Sequence, residues 1–162
     1  MSPAYKTVML TLLPEAQVRS AASPATAMAI AITRNFGGRL TIDFLSPQPA
    51  WIPYSLVTDM PGQMLAEQTR KLEAQAHASI DLAASAARQA GIDPEAQLIS
   101  LDFLALVGRA ALRAQLQDVV VVDAGGSSLR DEREIVEALL FRSGRPVTVS
   151  YTHLTLTTSD LV

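Results

Sequence analysis

The chain has 162 residues, nearly half of them apolar, with 13 basic against 16 acidic side chains and no cysteine. That length suits one domain with a sizeable core. A net charge of −3 lacks the basic footprint by which proteins hold nucleic acid or an anionic membrane, and the missing cysteines exclude disulfides, thiolate catalysis and Cys-ligated metals.

The opening Met-Ser-Pro-Ala-Tyr-Lys has no basic region followed by an apolar stretch, so no secretory signal is expected. No run is apolar over the roughly 18 residues a membrane span needs. The expected compartment is the cytoplasm. Tyr5–Leu13 (YKTVMLTLL) is β-branched and apolar, and Pro14 stops it, which predicts a buried strand. A polar connection leads to Ser23-Pro24, a cap followed by proline at the first helical position. The helix should run to Phe36, with Met28, Ile32 and Phe36 four apart on one face, and end at Gly37-Gly38. Arg39–Ser46 (RLTIDFLS) alternates like a strand.

Pro47, Pro49, Pro53 and Pro61 then deny the backbone the donors a strand requires. They predict an irregular loop carrying Trp51 and Tyr54, either a lid or partner patch or a segment folded over the sheet edge. Gln63–Ala90 reads as one long helix stopped by Gly91. Gln97–Leu101 is a short strand. Phe103–Leu116 is an amphipathic helix capped by Asp102, with Leu104, Val107, Ala111 and Leu112 expected to face inward. The valine run of Asp118–Val122 signals a parallel sheet covered on both faces. Ser128 and Asp131 have capping-box spacing ahead of a helix over 131–142. Gly144 stops that helix, and the last strand begins at Arg145 and reaches Val149.

The alternation is βαβαβαβαβ. Right-handed crossovers through helices then give a three-layer open α/β fold with a five-stranded parallel sheet, and ligand chemistry belongs at the C-terminal strand ends. Four stretches make the chain resemble the universal stress protein family. They are Tyr5-Lys6-Thr7-Val8-Met9-Leu10, Asn35-Phe36-Gly37-Gly38-Arg39-Leu40-Thr41, Asp118–Val122 and Ser143-Gly144-Arg145-Pro146-Val147. The resemblance implies a Rossmann-like sheet of order 3-2-1-4-5, a dimer or a pairing with a second such domain, and in many members ATP binding.

The family's binding pattern is G-x2-G-x9-G-[ST] after the fourth strand, with an aspartate ending the first. Glycines there let backbone N–H groups approach the phosphates. This chain has Leu13, beside Pro14, at the aspartate's place and Asp123 at the first glycine. Arg133-Glu134 stands at the Gly-Ser/Thr pair, in an interval three residues shorter. An acidic side chain repels a phosphate, so ATP is not expected in the usual mode. ATP stays open through the donor-rich turn Gly125-Gly126-Ser127-Ser128, which reads more readily as an ordinary strand-to-helix turn. The candidate cofactor-binding residues are therefore Leu13, Pro14, Asp123, Gly125, Gly126, Ser127 and Ser128.

Other constellations point elsewhere only weakly. His77 shares a helix face with Glu73 and Asp81, a row that reads as a solvated charged face more readily than a metal site. Asp43 and Asp102 are carboxylates without a visible partner for acid–base work. No G-x-S-x-G elbow occurs, and neither a nucleophile nor a metal is expected.

From Ser150 the chain turns threonine-rich and leaves the resemblance. Ser150–Val162 (SYTHLTLTTSDLV) reads as the translation of a sequencing-library transposon adapter, with a natural strand-forming tail as the alternative. We therefore set 1–149 as the universal stress-like domain, similar to the first half of tandem members. The expected role is a non-catalytic, self-associating stress-response module. The alternatives are a nucleotide switch or weak ATPase using 123–128, and a dimerisation scaffold.

Overall fold

In the computed structural model, residues 5–15, 20–48, 62–124 and 130–151 are described, and five strands alternate with four helices. In chain order they are β1 (Thr7–Leu12), α1 (Pro24–Phe36), β2 (Arg39–Pro47), α2 (Gly62–Gln89), β3 (Glu95–Leu101), α3 (Phe103–Gln115), β4 (Val119–Ala124), α4 (Arg130–Arg142) and β5 (Val147–Tyr151). All strand pairs are parallel, as expected from the valine runs and the alternation with helices, and the sheet order is β3-β2-β1-β4-β5, as the family resemblance implies.

Period-two alternation divides the strand side chains between two layers. Val8, Leu10 and Leu12 of β1, Leu40, Ile42 and Phe44 of β2, and Val119 and Val121 of β4 pack against α1 and α2. Met9 and Leu13, Leu45, Val120 and Val122 pack against α3 and α4. Because both faces are covered, β4 is buried along its whole length.

Local chemistry sets the helix ends. Ser23 Oγ accepts from the Thr26 amide at 3.1 Å, Pro24 opens α1, and Gly37 closes it at φ 58°. Gly38 is required by close approach, since a Cβ there would stand 2.8 Å from the Tyr5 carbonyl oxygen. Asp102 Oδ1 accepts from the Ala105 amide at 3.1 Å and caps α3. The N-terminal ends of β1 and β4 are tied by Asp118. Its Oδ2 accepts from the amides of Lys6 (2.8 Å) and Thr7 (2.9 Å) and from the Thr7 hydroxyl (3.0 Å).

Several expectations are corrected. Leu104 and Leu112 do not face inward: they are 81% and 60% exposed. The buried stripe of α3 is Leu106, Val107, Ala110, Ala111 and Ala114. Alanines let the helix approach the sheet, and that turns the neighbouring leucines out. In α1 the buried face is likewise Ala25, Thr26, Ala29 and Thr33, while Met28 is exposed.

The strands also run past their predicted ends. β3 begins at Glu95, because Thr41 of β2 offers it a partner despite its polarity. β5 continues through Ser150 and Tyr151, paired with Asp123 and Ala124. Asp123 is therefore a residue of β4 rather than of the following loop. The Trp51–Tyr54 loop, the Ser128 cap and the tail after Tyr151 lie outside the described residues.

Candidate functional site

At the C-terminal strand ends the chain forms a small cleft. It is lined by Leu12 and Leu13 of the β1 end, Glu15, Phe44 of β2, Asp123 of β4, Ser23 and Thr26 at the start of α1, and Ser79, Leu82 and Ala83 of α2. This is where a parallel sheet presents ligand sites, because the order reverses between β1 and β4. The cavity volume is about 20 Å³, room for little more than one water.

The candidate residues divide. Leu13 lines the cleft but is also 3% exposed and packed among Met9, Leu106 and Val122, so it belongs to the core of the α3/α4 layer. Pro14 is half-buried beside it and is not a lining residue. Asp123 lines the cleft, is 3% exposed, and sits opposite Leu12 in the β1–β4 register. Gly125, Gly126, Ser127 and Ser128 lie outside the described residues. Arg133 and Glu134 are in the first turn of α4, exposed and away from the cleft.

Sequence reasoning missed the contributions of α1 and α2. Ser23 was legible only as a cap, yet the residue whose hydroxyl bonds the Thr26 amide also lines the cleft. The start of a helix carries partial positive charge and favours an anion. Here it stands across from the carboxyl groups of Glu15 and Asp123, which oppose one. Both residues have interaction partners within the protein.

Elsewhere, Asp43 is 1% exposed in the middle of β2. It accepts a two-pronged contact from Arg113 of α3, with Nη2 to Oδ1 at 3.0 Å and Nε to Oδ2, and a further bond from Gln97 Nε2 at 2.9 Å. This satisfies the carboxylate structurally and leaves it far from Asp102, so the two do not form an acid–base pair. His77, Glu73 and Asp81 are exposed on α2. Among the described residues no group of three or more His, Asp or Glu side chains is placed to hold a metal ion. No described helix is long and apolar enough to cross a membrane.

The sheet order, the cleft at its switch point and the two helical layers decide the architecture. The chain has the universal stress protein fold. A universal stress protein from Lactobacillus plantarum superposes with a TM-score of 0.65 at 15% identity, covering 91% of this chain and 99% of that one. One from Arabidopsis thaliana with AMP bound gives 0.59 at 12% identity, covering 95% and 97%. A universal stress protein in complex with cAMP gives 0.58 at 19% identity, covering 93% and 100%. No protein-family profile matches the chain. No curated protein matches it either. At these identities the likeness to universal stress proteins is one of fold.

Proposed function

We propose that this chain is a non-catalytic regulatory module of universal stress type that self-associates through its last strand and does not hold ATP in the mode of the family's binding pattern. The carrying observation is the chemistry of the cleft. Among the described residues, a water-sized cavity with Asp123 and Glu15 on its wall, and Leu13 turned into the core, offers a triphosphate little room and no basic side chain. Anions near buried carboxylates are repelled, and the repulsion strengthens as water is excluded.

Self-association is supported by the sheet edge. Among the described residues β5 pairs only with β4. The Val120 amide donates to the Pro146 carbonyl, so by parallel alternation the Val149 N–H points to the open side. An edge of this kind is a template for a second strand. The partner is a second copy or a second domain of the same fold.

A second reading is a nucleotide-binding switch built on Asp123 and the 125–128 turn. It is supported by the AMP and cAMP in two proteins of this fold and by the start of α1 facing the cleft. Titration calorimetry with ATP and AMP separates the two. The first reading expects dissociation constants weaker than about 100 μM, or roughly −5.5 kcal/mol. Tighter binding of either nucleotide overturns it.

A further inference from the structure

The outer surface of the α3/α4 layer carries large apolar side chains that the described chain leaves uncovered. Leu112 is 60% exposed, Leu116 76% and Phe141 82%. Monomeric proteins seldom cluster such side chains without use. The two helices lie side by side with their C-terminal ends at one level. Gln115 Nε2 donates to the Arg142 carbonyl at 3.1 Å, and Arg145 Nε donates to the Gln115 carbonyl at 3.0 Å.

Heights on the two helices can be counted from that tie. At about 1.5 Å per residue, Leu112 and Phe141 stand within roughly 5 Å of it, while Arg109 and Glu134 stand about 9 and 12 Å above. Arg109 and Glu134 are both exposed, and among the described residues neither has an ion-pair or hydrogen-bond partner. Their neighbours Arg133 and Glu137 pair with each other at 2.7 Å. The charged residues of α3 are both arginines, and Arg113 is committed to Asp43. Arg109 is thus the basic group that α3 offers outward, and Glu134 is an unengaged acid on α4.

We propose that this face is a self-complementary docking surface for a second copy of the chain, with α3 of one copy lying along α4 of the other about a two-fold axis parallel to the helices. Such an axis exchanges the two helices and preserves height. The apolar lower ends then meet each other, and Arg109 of each copy faces Glu134 of the other. Each contact is made twice, as an isologous interface requires. The matching of both the apolar and the charged positions to within about 3 Å in height, a distance long side chains span, favours a second copy over an unrelated partner. This surface is separate from the β5 edge, and the two are tested by different variants.

Sedimentation velocity on the full chain tests it. Arg109→Glu sets like charges against each other, and Phe141→Ser removes an apolar anchor. Each is expected to halve the mass of the assembly while the circular dichroism of the fold is retained. Arg109→Glu combined with Glu134→Arg is expected to restore the mass. A monomeric wild type, an unchanged mass in both single variants, or failure of the double variant to restore it overturns the proposal. Val149→Pro, which removes the outward donor of β5, reports on edge pairing alone and leaves this interface in place.

Discussion

On the α1/α2 side the sheet meets Ala25, Ala29, Ala76, Ala83, Ala84 and Ala87, with Ile80 buried among them and Ile30 and Ile32 partly buried against them. On the α3/α4 side it meets Leu106, Ile135 and Leu139 beside Ala110, Ala114 and Ala138, and a buried carboxylate. Asp43 with Arg113 and Gln97 forms a polar knot across β2, β3 and α3, while Thr11, its register partner on β1, has a buried hydroxyl without a hydrogen-bond partner among the described residues. One layer gains its contact by bringing backbones close with small side chains. The other combines the alanines of α3 with larger side chains and an ion pair that orients α3. Close packing makes the first sensitive to added atoms and the second to removed ones.

The largest expected effect lies in the polar knot. Arg113→Met strands the Asp43 carboxylate in the core, and the loss of stability in chemical denaturation is expected at about 3–5 kcal/mol. Adding Asp43→Leu to that variant should recover most of it, since an apolar pair replaces the orphaned charge. A small effect of Arg113→Met alone would erase the distinction between the layers.

The next effect separates removal from addition. Leu106→Ala should destabilise by about 2–5 kcal/mol through the cavity it leaves. Ala84→Leu in the other layer should destabilise by about 1–3 kcal/mol through overpacking. If Ala84→Leu were stabilising, the α1/α2 layer would be loosely packed and not closely apposed.

The smallest effect concerns Asp118, which ties β1 to β4 below both layers. The Thr7 amide holds its carboxyl below the ordinary value of 3.8. Partial burial opposes this, and the Lys6 amide, the Thr7 hydroxyl and Arg145 add to the lowering. A lowered carboxyl contributes stability above its unfolded value and loses it as pH falls through the folded one. Asp118→Asn should therefore weaken the protein by about 1 kcal/mol at neutral pH, solvent screening keeping the figure small. It should also flatten the acid limb of a stability–pH curve below about pH 4. An unchanged acid limb would mean that Asp118 does not act as a tie.

The cleft was only partly legible along the chain. The family's binding pattern, counted onto the chain, marked Asp123 after the valine run and Leu13 at the end of β1. The pattern gave no reason to join Ser23, Ser79 and Leu82 to them, because those residues come from helices whose approach depends on sheet twist and on the alanines beneath. Arg113 could have been suspected from Asp43, a charge among the inward positions of an apolar strand, but its identity as the partner required knowing where α3 crosses β2.

Element order, strand alternation, the Ser23, Asp102 and Gly37 helix ends and the parallel sheet followed from the sequence alone, because each depends on residues a few positions apart. The tertiary structure decided which apolar residues are buried. Leu104 and Leu112 point outward while Ala110 and Ala114 point in, because the depth of a helix over a sheet is set by its smallest residues and not its most hydrophobic ones. It likewise decided that Asp123 is a buried strand residue at the cleft and that Asp43 is neutralised from another layer. Such pairings join residues that are distant in sequence, and only the packed fold brings them within reach.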